Sequence, residues 1–281
     1  MERKAAAEAK KKAEAEAKKK EEAEAKKKAE AEAEKKAEAE AKKKLEEDFI
    51  NALDAYQTKD YKLAIFLYKK VANQGHIDAQ FNLALMYDKG EGVTQNHEQA
   101  TYWYGNAAVQ GNAEAQYALA YNYQVGEGIT KDYKQAVYWY RKAADQGYDY
   151  AENNLGYMYF MGYGVTKDYS QAEYWYRKAA IQGNIYGQSN LGEVYDIGGE
   201  GLIQNYKEAL YWYKKAANQG DSDAQNNLGK MYENAKGVTQ DYKKALSWYK
   251  KAVNQNNEKA KQNLESLEKL GITDIHRCTF S

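Results

Sequence analysis

Hydrophobic and polar positions follow different rules on either side of residue 48. From Met1 to Asp48, 46 of 48 positions are Ala, Lys, Arg, Asp or Glu, and only Met1 and Leu45 break the pattern. No large apolar face can be drawn through them, yet all are good helix formers and neither Gly nor Pro interrupts them, so one helix is predicted. The unit Ala-Glu-Ala-Glu-Ala-Lys-Lys-Lys, at Ala13 to Lys20 and again at Ala37 to Lys44, sets Glu four residues before Lys. Eight such pairs, from Glu8/Lys12 to Glu40/Lys44, are expected to add roughly 0.2 to 0.5 kcal/mol each. A period of eight drifts about 80° per unit around a 3.6-residue helix, so no coiled-coil seam forms. A solitary rod of roughly 65 Å is predicted at 1.5 Å per residue. Leu45, Phe49, Leu53 and Tyr56 then fall at i, i+4, i+8 and i+11, an apolar stripe that carries the same helix onward without a hinge.

Beyond residue 48 the apolar pattern is helical and recurs. Trp103, Trp139, Trp175, Trp212 and Trp248 are spaced 36, 36, 37 and 36 residues apart, the signature of a repeat architecture. Each unit reads as two helices. The first carries Ala115, Leu119 and Tyr123 on one face, with Ala151, Leu155, Tyr159 and Ala224, Leu228, Tyr232 as counterparts. A Gly-rich loop follows, at Gly90/Gly92, Gly126/Gly128, Gly162/Gly164 and Gly198/Gly201, the last holding the one-residue insertion behind the spacing of 37. The second helix starts at Asn96, Asp132, Asp168 or Asn205 with Gln or Glu three residues on, like a capping box. It ends before Gly75, Gly111, Gly147, Gly183 and Gly220, placed as C-terminal caps. Tyr138, Trp139 and Tyr140 and their counterparts are expected in the core.

These residues resemble the Sel-1-like repeats, relatives of the tetratricopeptide repeat. The likeness rests on Ala-x-x-x-Leu-Gly-x-x-Tyr, the Gly-x-Gly-Val loop, Asp-Tyr-x-x-Ala-x-x-Trp-Tyr and Lys-Ala-Ala-x-x-Gly. It divides the chain into a charged helix (1–44), a tetratricopeptide-like first hairpin (45–75), five Sel-1-like repeats (76–256), a capping helix (257–270) and a disordered tail (271–281). The fold class is then all-α: a right-handed α-solenoid of stacked hairpins preceded by a long charged single helix. The rod resembles in composition the helical middle segment of the TolA envelope protein, where such a helix follows a membrane anchor.

The resemblance implies a concave groove, lined by the first helix of each pair, that binds a segment of another protein. Positions on that helix that vary between copies are free to specify the ligand. The expected groove residues are Phe81, Leu85, Tyr117, Tyr121, Tyr150, Asn153, Tyr157, Tyr186, Glu193 and Lys230. Tyrosine suits such a role because it offers broad apolar area, few rotatable bonds and a polar tip.

Composition narrows the chemistry. There are 41 Lys+Arg against 41 Asp+Glu, and each Lys triplet has Glu beside it, so no uncompensated basic face for nucleic acid is expected. The single Cys278 cannot close an internal disulfide. His76, His97 and His276 lack metal-ligand spacing, so neither metal nor cofactor is expected. Ser247-Trp248-Tyr249-Lys250 matches Ser-x-x-Lys, but Ser247 takes the place of Tyr102, Tyr138, Tyr174 and Tyr211 and no Ser-Asp-Asn or Lys-Thr-Gly accompanies it. The Gly loops lack the third Gly of a dinucleotide fingerprint and follow a helix. No run of 18 apolar residues exists for direct membrane insertion, and Met1-Glu2-Arg3-Lys4-Ala5 lacks the apolar stretch of a signal. The expectation is a non-enzymatic bacterial adaptor, cytoplasmic, or envelope-tethered or periplasmic if the natural N-terminus lies upstream. The alternative is an envelope spacer in which the rod is the working part.

Overall fold

A computed structural model describes residues 2–273. Among them are thirteen α-helices and, in place of any strand, one isolated bridge between Gly199 and Leu202. The described residues form two compact units, residues 2–83 with 91–93 and residues 84–90 with 94–273.

The first unit is built on α1 (Glu2–Gln57), α2 (Tyr61–Ala72) and the start of α3 (Ile77–Lys89). Every side chain from residue 3 to 44 is exposed. Of the eight expected Glu-to-Lys pairs none closes to ion-pair distance. Among the described side chains from residue 3 to 44 the one ion pair is Lys26–Glu30 at 3.8 Å, in the reverse order. Long exposed side chains lose more rotamer freedom than a screened contact returns. From Leu45 the helix gains a buried edge: Phe49, Ala52 and Ala55 are buried. The Phe49 ring stacks on His76 at 4.2 Å, and Asp48 pairs with Lys70 at 2.7 Å. Tyr56 donates to Glu91 at 2.8 Å, a bond that with burial pushes its phenol up to about 12.

The second unit repeats a hairpin. Its first helices are α5 (Ala113–Val125), α7 (Asp149–Met161), α9 (Ile185–Ile197) and α11 (Ser222–Glu233), preceded by the end of α3. Its second helices are α4 (His97–Val109), α6 (Tyr133–Ala144), α8 (Tyr169–Ile181), α10 (Tyr206–Asn218) and α12 (Tyr242–Val253). α13 (Glu258–Lys269) follows, with Ala260 and Leu267 buried. The second helices start at Asn96, Asp132, Asp168, Asn205 and Asp241, whose side-chain oxygens accept amide hydrogens of the first turn. The second Gly of the loop is forced twice over at Gly128, Gly164 and Gly237, but at Gly201 only by its φ of +77°, since an added Cβ there would meet just the Ser170 hydroxyl at 3.1 Å. At Gly128 φ is +66°, and an added Cβ would stand 2.1 Å from the His97 carbonyl oxygen of the preceding repeat. In the fifth loop Ala235 adopts the left-handed backbone (φ 55°) that Gly takes in the other four.

One device closes each hairpin and another runs on to its neighbour. Gly156, Gly192 and Gly229 let the rings of Tyr176, Tyr213 and Tyr249 lie against the first helix. A Gln relay runs along one edge. Gln116, Gln188 and Gln225 donate to the Ala108, Ala180 and Ala217 carbonyls of the preceding repeat and accept from Gln146, Gln219 and Gln255 at the end of their own. Glu152 breaks the relay. Fully buried, it accepts from Gln182 at 2.7 Å, and Lys178 Nζ stands 3.0 Å from its other oxygen at ion-pair distance but without hydrogen-bond geometry.

The expected burial of the Tyr-Trp-Tyr run needs correction. Tyr140 is wholly buried and Trp139 half-buried, but Tyr138 is 50% exposed, as are Tyr102, Tyr174 and Tyr211 to a similar degree. Three consecutive helical residues span about 200° of the circumference, more than one buried face can take. The expectation of a loose tail over 271–281 lies, from residue 274 onward, outside the described residues.

Candidate partner-binding cleft

The side chains of Asn112 and Asn184 accept the amides of Ala115 and Gly187 at 2.8 Å, fixing where α5 and α9 begin. Leu119, Leu155 and Leu191 are buried. Residues two positions away on the helix therefore turn off the core. Within the second unit α7 packs on α9 and α9 on α11, closer than any pair of second helices, so the first helices form the inner layer.

On that layer Tyr117, Tyr121, Gln124, Tyr150, Asn153, Asn154, Tyr157, Tyr186 and Asn190 line one cleft of about 450 Å³. Six of these are residues expected from the sequence. Tyr121, Tyr150 and Tyr186 are 43%, 46% and 58% exposed. Tyr117 and Tyr157 are half-buried: the first tilts against Tyr140, Tyr148 and Tyr150, the second meets Tyr163 edge-on. Burial raises both phenols, so they are neutral hydrogen-bonding groups across the physiological range. Asn153 sits at the floor, 8% exposed, donating to Asn154 and accepting from Asn190 at 2.9 Å. It is a strut more than a contact surface.

No charged side chain lines this cleft. Glu193 and Lys230 lie outside it, on α9 and α11. Burial holds the Glu193 carboxyl above the usual range, opposed by Lys259 and Lys230 and reinforced by Asp223 and Asp196. Leu85 is half-buried on α3 and outside the cleft, and Phe81 belongs to the first unit, also half-buried. Sequence reasoning passed over Gln124, Asn154 and Asn190. A signal existed for the last two: Asn precedes Leu at Asn82, Asn154, Asn190, Asn227 and Asn263. Asn82 and Asn154 donate to the buried Tyr68 and Tyr140 hydroxyls, so the recurrence is a core tether whose exposed edge borders the cleft.

His97, in the place of a recurring Tyr, lies between Asp88 (2.9 Å) and Glu127 (3.3 Å), with Asn96 capping the helix beside it. Ser247 is exposed on α12. Among the described residues no three His, Cys, Asp or Glu are grouped to hold a metal, and no helix is long and apolar enough to cross a membrane. His276 and Cys278 lie outside the described residues.

The period, the capped hairpins and the two-fold use of Gly agree with a comparison against protein families. A family model for the Sel1 repeat matches residues 54–76, 77–112, 113–148, 149–184, 185–221 and 222–257. The chain belongs to the Sel1 repeat family. Its match includes part of the first hairpin, although Gln57-Thr58-Lys59 stands there in place of a Gly loop. Among solved structures, a Sel1 repeat protein from Oxalobacter formigenes is 36% identical, covering 82% of this chain and 92% of its own, with a TM-score of 0.75. The protein c5321, described as a protective antigen of uropathogenic Escherichia coli displaying an SLR fold, is 35% identical over 83% of this chain, with a TM-score of 0.76. The match spans half of that protein's length. No curated protein matches the chain. Sel1 repeat proteins generally mediate protein–protein interaction, and the family is typically a non-catalytic scaffold.

Proposed function

We propose that this Sel1 repeat chain is a non-enzymatic bacterial adaptor that seats a segment of a partner protein in the cleft between α5, α7 and α9. One observation carries the reading: five tyrosine rings from three successive repeats converge on a single uncharged cleft of about 450 Å³. Rings in such a setting bind through area they already hold in place, so little side-chain entropy is lost on contact. The Asn floor, bonded to itself and to Tyr140, braces the rings from below. A cytoplasmic location goes with this reading.

The test is quantitative capture from source-cell lysate by the full chain, by Tyr121→Ala/Tyr157→Ala, and by a chain starting at Leu45. The expected outcome is one protein enriched by the full chain and the truncation and lost with the tyrosines. A second reading, an envelope spacer worked by the rod, is favoured by the 42 exposed residues from 3 to 44. It predicts the reverse dependence.

A further inference from the structure

A net charge of zero conceals a separation of charge between layers. The inner helices α5, α7, α9 and α11 carry seven Asp or Glu against one Lys, Lys230. The outer helices α4, α6, α8, α10 and α12 carry twelve Lys or Arg against three Glu, Glu98, Glu173 and Glu208. The layers do not cancel at the inner surface. A helix is about 10 Å across, while mobile ions screen charge over about 8 Å at physiological salt, so a ligand there feels the near layer most.

The geometry brings this charge to the cleft. Tyr150 and Tyr186 also line a second trough, of about 650 Å³, with Asp149, Asp221 and Asp223. No Lys or Arg lines either cavity. Asp221 caps α11 and is offset by that helix terminus. Asp149 and Asp223, in the first turns of α7 and α11 where the helix terminus offsets part of their charge, accept hydrogen bonds from Asn184 and Asn257 at 2.9 Å, neutral amides that leave the remainder in place. The trough does not call for a metal ion, since no three acidic or imidazole groups among the described residues are close enough to ligate one. Two exposed rings at the mouth of a carboxylate-lined trough suit an ammonium or guanidinium on a flexible stem, held by ring faces and charge together.

We infer that the segment seated in the cleft is cationic, placing Lys or Arg side chains past Tyr150 and Tyr186 into the Asp149–Asp223 trough. This rests on the cleft reading above and names the chemistry of its partner.

The test is selection of a displayed library of random twelve-residue peptides against the full chain, with affinities of the enriched peptides then measured by fluorescence anisotropy. Enrichment of Lys and Arg is expected. Asp149→Asn/Asp223→Asn, near-isosteric and checked for an unchanged melting temperature, should weaken those peptides by about tenfold. Binding should also weaken as salt rises. Peptides without net positive charge that still depend on Tyr121 and Tyr157 overturn the charge inference and leave the cleft reading standing. Cationic peptides indifferent to Tyr121→Ala/Tyr157→Ala and to the Asp changes bind elsewhere and overturn both. No enrichment at all overturns the charge inference, and lysate capture then decides the cleft alone.

Discussion

The rod and the repeats are both helical for almost their whole length, but they are helical for different reasons. Between residues 3 and 44 no side chain is buried and one ion pair forms, so order there rests on Ala, Lys and Glu propensity summed residue by residue. In the repeats the isolated helices are only 12 or 13 residues long, too short to persist alone in water. They hold because Tyr140, Tyr176, Tyr213 and Tyr249 and the Leu and Ala beside them are buried. Local order should therefore yield gradually on heating, and packed order together with its neighbours.

That contrast can be broken most sharply at Gly128. Gly128→Ala meets the His97 carbonyl and a positive φ at once, and should cost about 3 to 5 kcal/mol. All five Trp lie in the repeats, so a lower urea midpoint by Trp fluorescence reads it. Gly147→Ala, with φ +83° but open space around it, should cost only about 1 to 2 kcal/mol.

Glu152→Gln should act in the opposite direction. It removes a buried carboxylate held by Gln182 and Lys178 and restores the amide that donates to a helix-end carbonyl in neighbouring repeats. A gain of about 1 to 2 kcal/mol is expected, seen as a raised melting temperature. A smaller gain, about 1 kcal/mol, is expected of Gln171→Glu. The Trp175 indole N–H is buried without a partner, whereas Trp212 donates to Glu208, the counterpart of Gln171, at 3.2 Å. Calorimetry should resolve it if the new carboxylate reaches the indole. Least of all should the repeats feel Ala25→Gly. It should cost the rod about 1 kcal/mol locally, lowering far-UV ellipticity while the Trp-reported midpoint stays unchanged.

Much of the fold was legible because the chain states it several times. A Gly at 126, 162 and 198 in the same place, or a cap at Asn96, Asp132 and Asp168, is a signal averaged over copies. The six Tyr and Asn positions that meet in the cleft followed from the same comparison. What escaped depends on facts a period does not carry. Tyr138 was assigned to the core because it recurs, but recurrence marks any constrained position, including one that turns to solvent beside a buried neighbour. The eight rod pairs were counted from spacing, which says that side chains can meet and nothing of whether meeting is favourable. The layer charges were hidden by summing over the chain, since sign segregates only after each helix is assigned to a layer.

The Gln relay has a consequence for how such a chain can change its length. Its Gln–Gln bonds close within one repeat, as in Gln146 to Gln116 and Gln219 to Gln188, while Gln116, Gln188 and Gln225 each donate across the junction to a carbonyl at the end of the preceding repeat, so these junctions use the same donor on one side and the same acceptor on the other. A gene duplication or deletion of one 36-codon unit would leave complementary groups facing each other at the new seam. Only the copy carrying Glu152 would arrive with a mismatched end.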